Sequence, residues 1–352
     1  MTRNPENIIA VALSGGIDSL VSAFLLKEQG LNIFGLHFIT GYETTSDPLP
    51  AHSRIEHLSD LLGIKIHVID IREKFEKYVV NYFVDTYLSG STPNPCMVCN
   101  REIKFGIMLD EALKRGATRL ATGHYARTEP GGTGNRCVLK KGVDVKKDQS
   151  YFLAMLKPNR LEKAYFVLGE KTKTEVRQIA AENDLRPVIT KESQDICFIR
   201  NKSCQDFLLS RLHRKFENGD IVNTKGEVIG CHQGLFRYTI GQRRGINCPA
   251  AYPYYVLGLD IEQNQLIVGF KDELYQDKCF ITDINWLIPK PQAPIRVETR
   301  IRYRHQAVES VLTPSANNSA TIHFNNPQHA ITPGQVAVCY QGESIVAGGW
   351  IT

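Results

Sequence analysis

The sequence predicts an α/β domain built on a parallel sheet, followed by a small β-rich module and a C-terminal β-barrel. Three observations carry this. Over the first two hundred residues, short apolar strands alternate with helix-length amphipathic stretches, the pattern of βαβ units. After about residue 205 the helical period fades, and short alternating runs punctuated by Asn, Gly and Pro replace it. A length of 352 residues, at roughly 150 per domain, suits two or three domains.

The elements follow in order. Ile8–Leu13 is an apolar, β-branched run that ends in Ser14-Gly15-Gly16-Ile17-Asp18-Ser19. Leu20, Val21, Phe24 and Leu25 come next at helical spacing, with Gly30 as a stop. Leu31–Ile39 reads as the second strand, Arg54–Leu62 as a helix stopped by Gly63, Ile64–Ile71 as the third strand and Leu120–Thr122 as the fourth. Asp220–Val222, Glu227–Ile229, Tyr254–Asp260 and Gln265–Gly269 make the middle module; Arg296–Arg304, Thr321–Phe324 and Gln335–Tyr340 belong to the barrel. The expected domains are residues 1–205, 206–272 and 273–352.

Composition narrows the class. Hydrophobic residues at 42 % and charged residues at 22 % are a globular balance, and no run approaches the ~18 apolar residues that span a bilayer. The opening MTRNPENIIAVALSGG has no signal-peptide pattern, and nine cysteines spread over the chain do not read as a secreted disulfide framework. A reducing cytoplasm is the expected setting. A net charge of +5 is too small by itself to name a polyanionic partner.

The strongest local signal is the strand–SGGIDS–helix junction at Ser14–Ser19. Its glycines let backbone N–H groups and the helix N-terminus close around phosphate oxygens. It is not a Walker A loop, because GxxxxGK[ST] is absent. The string resembles the pyrophosphate loop of N-type ATP pyrophosphatases. That resemblance implies a Rossmann-like sheet, a grip on the β/γ-phosphates, an Asp helping to hold Mg²⁺, and cleavage of ATP to AMP and pyrophosphate. A tight Gly-Gly turn before a helix is the plainer alternative.

Two cysteine segments stand apart. Thr92-Pro93-Asn94-Pro95-Cys96-Met97-Val98-Cys99-Asn100 precedes a helix expected to begin near Lys104. A thiol at a helix N-terminus beside Arg101 and Lys104 is expected to have a lowered pKa. Downstream, Lys191–Ile199 carries Cys197 between charged and apolar residues. Zinc, redox and iron–sulfur readings of Cys96-x-x-Cys99 compete, although no second CxxC or HxxxH follows at finger-like spacing. The remaining cysteines read as small core residues. Strict alternation over Arg296–Arg304 is expected to put Arg296, Arg300, Arg302 and Arg304 on one strand face, ready for a phosphate backbone. Arg237, Arg243 and Arg244 form a second basic cluster beside aromatics, and His124 follows a strand's carboxyl end, where substrates bind.

Taken together, SGGIDS, TPNPCMVCNREIKF, ATGHYAR, KKDQSYFL, ICFI, YTIGQRRG, RIRYRH and TPGQVAV resemble, in order and over nearly the whole chain, the bacterial tRNA-specific 2-thiouridylases of the MnmA/TrmU family. The resemblance implies ATP activation of the C2 oxygen of the wobble uridine in tRNA, then replacement by sulfur from a cysteine persulfide. It places ATP contacts on Ala12, Leu13, Ser14, Gly15, Gly16, Ile17, Asp18, Ser19, Phe38 and Gly123. Cys99 falls on the catalytic nucleophile and Cys197 on the persulfide carrier, and the two can close a disulfide. Target-base and tRNA contacts fall on Asn94, Pro95, Cys96, His124, Lys147, Asp148, Gln149, Arg302, Tyr303 and Gln335. A cysteine desulfurase or sulfur-relay protein is the implied sulfur donor; no membrane partner is implied.

Two departures matter. Cys96 stands where many members have Asp, so Cys96, Cys99 and Cys197 could instead hold a [4Fe–4S] cluster with one open iron. The segment Thr40–Ser53 is shorter than usual in the family. Alternative readings are a paralogue acting on another RNA, a small-molecule ligase with the same loop, and an RNA-binding protein with a relic site. The intact loop beside Cys99 and Cys197 argues against the last.

Overall fold

A strand with neighbours on both edges and cover on both faces needs no polar side, and strand β1 (Ile8–Ala12, IIAVA) has none. The computed structural model describes residues 7–43, 51–131, 137–189, 196–199, 203–212 and 217–352. Half of the segment 40–53 and the residues just before Ile196 therefore lie outside the described residues. The chain forms two compact units: Met1–Val80 with Cys96–Phe198 and Glu343–Ile345, and Asn81–Pro95 with Ile199–Gly342 and Val346–Thr352.

In the first unit β1 is followed by helix α1 (Ile17–Glu28), β2 (Asn32–Ile39), helix α2 (Ala51–Leu62), β3 (Ile66–Asp70) and β4 (Arg119–Thr122). A hairpin of β5 (Ala126–Pro130) and β6 (Cys137–Lys141) precedes β7 (Ala164–Phe166). The sheet order is β3-β2-β1-β4-β7, with every pair parallel. Leu20, Val21 and Leu26 of α1 pack with Ile9 and Val11 of β1 in the core. The connections leave β1 in opposite directions, so the crevice at the carboxyl ends of β1 and β4 is the topological switch point where α/β sheets bind ligands.

The second unit holds two β assemblies. β8 (Gly219–Val222), β9 (Val228–His232), β10 (Tyr255–Asp260) and β11 (Gln265–Gly269) form a sheet in the order β10-β11-β8-β9 over Val256, Leu266 and Val268. β12 (Tyr275–Trp286), β13 (Ile295–Arg300), β14 (Val308–Pro314), β15 (Ala320–His329), β16 (Val336–Gln341) and β17 (Ser344–Ile351) follow. Their order is β12-β15-β14-β13-β16-β17, and pairing of β12 with β17 closes them into a barrel. Ile281, Leu312, Ile322, Ala337 and Cys339 fill its interior, so Cys279 and Cys339 are core residues as the sequence suggested, whereas Cys231 is exposed and Cys137, Cys204 and Cys248 are half-buried, short of the core expected for them. Among the described residues no helix is long and apolar enough to cross a membrane.

The arginine strand is shorter than expected. β13 stops at Arg300, and the next residues form a turn closed by the His305 N–H donating to Arg302 O (3.0 Å). Arg296 and Arg300 therefore share a strand face with Glu298, while Arg302 and Arg304 sit on the turn. Arg300 donates to His305 O (2.9 Å) and Arg302 to His329 O (3.2 Å), so both guanidinium groups brace backbone. The single face of four arginines does not form. A turn without Gly, Pro or Asn leaves the period-2 pattern unbroken in sequence, which is why the strand looked longer.

Leu20→Ala, at a fully buried position between α1 and the sheet, is expected to destabilise the first unit by about 3 kcal/mol. A urea titration followed by far-UV circular dichroism would show this as a lowered midpoint for one transition only.

Candidate active site

The chain leaves β1 at Ala12, and the Leu13 N–H donates to Leu36 O (2.9 Å) of β2. Gly15 takes φ +85°, a conformation costly for any residue with a Cβ, and its carbonyl accepts from the Ile189 N–H at 3.0 Å. Ser19 Oγ donates to Gly16 O (2.9 Å) and accepts from the Ser14 N–H (3.3 Å). That hydroxyl holds the loop from inside. Ile17 opens α1, whose N-terminus suits an anion.

Asp18 is gripped from two directions. Lys173 Nζ lies 2.7 and 2.8 Å from its two carboxylate oxygens, and the Tyr125 hydroxyl donates to it at 2.7 Å. Lys173 is the first residue of the helix Lys173–Glu182, set there by a capping box between Thr172 and Glu175. It is only 6 % exposed. Sequence reading missed it, although the Thr-x-x-Glu signature at 172–175 marks the helix start. Gly123, after β4, backs this group: a Cβ there would come within 2.9 Å of the Asp18 carbonyl carbon. One carboxylate beside a phosphate loop fits Mg²⁺, which takes one or two carboxylates together with substrate phosphates. Among the described residues no group of three His, Cys, Asp or Glu side chains could hold a metal ion unaided.

Phe38 lies half-buried near the carboxyl end of β2, opposite Ile69 of β3. Its neighbour His37, which carried no signal in the sequence, uses Nδ1 to meet Leu13 O at 2.8 Å. Burial holds the His37 imidazole below its ordinary pKa, so the neutral ring donates and ties β2 to the loop.

The thiols sit on a helix that starts earlier than expected. Pro95–Val98, Cys99–Met108 and Leu109–Lys114 run on as one helix, with Pro in its first turn and the middle segment wound as a π-helix. Cys96 is thus in the first turn and Cys99 in the second. Bonds from i to i+5 bring residues five apart round to one side, so Lys104 shares a face with Cys99. The expectation of a lowered pKa is overturned at both cysteines. Burial pushes the Cys99 thiol up to about 12, against the pull of Lys104, with the Cys197 and Cys96 thiols adding to the rise. Cys96 presents exposed surface yet is crowded by protein, and desolvation followed by the charge of Cys197 raises its thiol as well. The three thiols are therefore near enough to feel one another's charge. They do not make a three-ligand metal group as they stand. Beside exposed Cys197, Phe198 is buried against Phe75 and Tyr42, with ring centroids 6.0 and 5.8 Å away.

The residues expected to meet RNA have mixed placements. His124 is buried between Thr122 Oγ1 (Nδ1, 2.7 Å) and Lys104 Nζ (Nε2, 3.3 Å). Burial, then the Lys104 charge, holds it well below its ordinary pKa, so it is a neutral ring accepting from the ammonium. Asp148 is buried and accepts from the Gly142 and Ser150 N–H groups, and Gln149 accepts from the Tyr125 N–H; Lys147 is half-buried. In the other unit, Asn94 and Pro95 are buried, and Gln335 donates to Thr92 O and Pro93 O, each at 3.1 Å. Tyr303 is half-buried on the turn that carries Arg302.

A parallel sheet whose switch point holds an SGGIDS loop is a nucleotide-binding fold of the PP-loop kind. Three family profiles cover the chain: "tRNA methyl transferase HUP domain" over residues 7–201, "tRNA methyl transferase PRC-barrel domain" over 205–270 and "Aminomethyltransferase beta-barrel domain" over 276–351. The tRNA-specific 2-thiouridylase MnmA of Desulfosudis oleivorans is 46 % identical over 350 residues, covering 99 % of this chain and 96 % of the relative. Its namesake from Geotalea uraniireducens is 40 % identical over 360 residues, again covering 99 % and 96 %. The chain belongs to the tRNA-specific 2-thiouridylase (MnmA) family. Among solved structures, the U34-tRNA thiolase NcsA of Methanococcus maripaludis with its [4Fe-4S] cluster is similar at 20 % identity and a TM-score of 0.36, covering 55 % of this chain and 61 % of that one. A likeness that distant carries no argument about a cluster here.

Cys99 alkylation is expected to be slow at neutral pH and to keep accelerating as pH rises, with no plateau below about pH 12. Lys104→Met removes the cation that favours the thiolate and should slow Cys99 alkylation further at every pH. Mass spectrometry of iodoacetamide-treated protein would read both rates.

Proposed function

We propose that this chain is an ATP-dependent sulfurtransferase of the cytoplasm that adenylates the C2 oxygen of the wobble uridine in tRNA and replaces it with sulfur, releasing AMP and pyrophosphate. What carries the reading is the juxtaposition, in one compact unit, of an intact phosphate loop and three mutually close thiols. Full-length membership of the 2-thiouridylase family supports it. On this reading residues 1–205 are the catalytic domain, while 206–272 and 273–352 hold the tRNA.

Ala12–Ser19 surround the ATP phosphates, with Phe38 and Gly123 lining the nucleotide's other side. Mg²⁺ supplies charge neutralisation on the phosphates when bound, with Asp18 as its protein ligand. Lys173 balances Asp18 before ATP arrives and turns to the phosphates afterwards. At the other end of the site, a sulfur donor loads Cys197 as a persulfide. Its terminal sulfur attacks C2 of the adenylated uridine, AMP leaves, and C2 is joined through sulfur to Cys197. Cys99, as thiolate, then attacks the Cys197 sulfur. The S–S electron pair stays with the sulfur on C2, giving 2-thiouridine and a Cys99–Cys197 disulfide that must be reduced for the next turnover. Asn94, Pro95, Cys96 and His124 frame the target base; Lys147, Asp148, Gln149, Arg302, Tyr303 and Gln335 shape the rest of the tRNA surface. Cys96 replaces the carboxylate usual at that place, so proton handling at the base falls to another group.

Asp18→Ala is expected to reduce pyrophosphate release about a hundred-fold or more, while a filter-binding assay finds tRNA affinity unchanged. Lys173→Met should show the same split. Loss of RNA affinity with adenylation preserved would contradict both assignments.

Cys99→Ser and Cys197→Ser should each abolish 2-thiouridine, measured by nucleoside mass spectrometry. Cys96→Asp should keep activity in iron-free protein supplied with a persulfide donor. If activity instead tracks bound iron, and Cys96→Ser loses iron and activity together, Cys96, Cys99 and Cys197 hold a [4Fe–4S] cluster and the persulfide route is wrong.

A further inference from the structure

We propose that the β8–β11 module carries a nucleotide subsite in which one unpaired RNA base stacks on an exposed aromatic platform while Arg243 and Arg244 hold its phosphate. The site is a cavity of about 300 Å³ lined by Arg243, Arg244, Asn247, Pro253 and Tyr254 among others, and no acidic residue lines it. Three rings make the platform. Tyr254 and Phe270 stack with centroids 5.1 Å apart and planes 15° off parallel; Tyr252 meets Phe270 edge-on at 6.4 Å. Tyr252 is 73 % and Phe270 42 % exposed. Large rings left open to water beside cations suit a base, since every base has a π-face and stacking needs no particular sequence.

The arginines stand on a fixed loop. Gln242 accepts from the Thr239 N–H (3.1 Å) and donates to Arg244 O (2.9 Å). The Gly241 N–H donates to Val256 O (2.8 Å), and the Val256 N–H returns to Gln242 O (3.0 Å), sewing the loop to β10. Arg237, the third member of the basic cluster, differs: it donates to Gln233 O and Gln205 and lies over the Phe236 ring, so it braces the module. Arg243 and Arg244 are exposed at the mouth of the cavity. The cluster thus divides into one structural and two ligand-facing cations. A phosphate held by the pair would leave its base within reach of the rings.

The subsite rests on the tRNA reading above and extends it to a place outside the thiol site. Full-length protein would be titrated with an unmodified tRNA transcript and with a single-stranded RNA of about twelve nucleotides. Arg243→Ala/Arg244→Ala is expected to weaken both complexes and to lower the log–log salt slope by about one to two units. Tyr252→Ala, at an exposed ring, should weaken both roughly ten-fold with the slope unchanged. Ultraviolet crosslinking of the wild type should leave a nucleotide adduct on Tyr252 or Tyr254. Unchanged affinities in both variants, with wild-type binding and thiolation intact, would overturn the subsite alone. A loss confined to the arginine variant, with no adduct on the rings, would reduce it to a phosphate contact and refute base stacking. Wild-type protein that binds neither RNA would overturn the subsite and the tRNA reading together.

Discussion

A lysine ammonium removed from water needs a counter-charge, and the buried Lys173 finds it in Asp18 at 2.7 Å. This ion pair organises the nucleotide end of the molecule. It joins the first turn of α1 to the first turn of the helix Lys173–Glu182, and Tyr125 adds the turn after β4 by bonding the same carboxylate. Gly123 can pass against the Asp18 backbone only because it lacks a side chain. Three segments far apart in sequence therefore present one surface, on which the Asp18 carboxylate is already balanced before any ligand arrives. A balanced carboxylate does not repel incoming phosphate, which suits the proposed handover of Lys173 from Asp18 to the phosphates.

The sulfur end is governed by burial. Removing Cys99 from water works against its charged form, and the nearby thiols reinforce that. Lys104 is the opposing influence, delivered to the right face by π-helical winding and backed by the neutral His124. A resting thiol that is protonated is protected from stray oxidants and alkylating agents, since reactivity follows the thiolate. On the proposed route its proton must leave when substrate is in place. His124, the ring expected to touch RNA, also holds Lys104.

Much of this was legible in sequence, and the gaps have physical causes. The parallel sheet was readable because β1 is apolar throughout and its loop follows at once; the barrel was readable as alternation in stretches such as Thr321–Phe324. The Asp18–Lys173 pair spans 155 residues, and nothing local reveals a partner that distant. The helix at Cys96 was placed too late because π-winding blurs the 3.6-residue period. The arginine strand was drawn too long because its turn contains no turn-forming residue. Cys96 and Cys99 were read as activated because charge is visible in a sequence and burial is not.

Gln335 has a consequence for how the protein is made. Its amide fastens the carbonyls of Thr92 and Pro93, 243 and 242 residues upstream, just ahead of the Asn94-Pro95-Cys96 stretch. The compact unit containing Thr92 and Pro93 is also discontinuous, since Asn81–Pro95 folds with residues that are synthesised far later. A growing chain on the ribosome can complete the β1–β7 sheet from what has already emerged. It cannot clamp the threshold of the cysteine helix until the last barrel strands exist. Closing so long a loop is entropically slow relative to local structure. The order of synthesis thus delays assembly of the cysteine threshold until the chain is nearly finished.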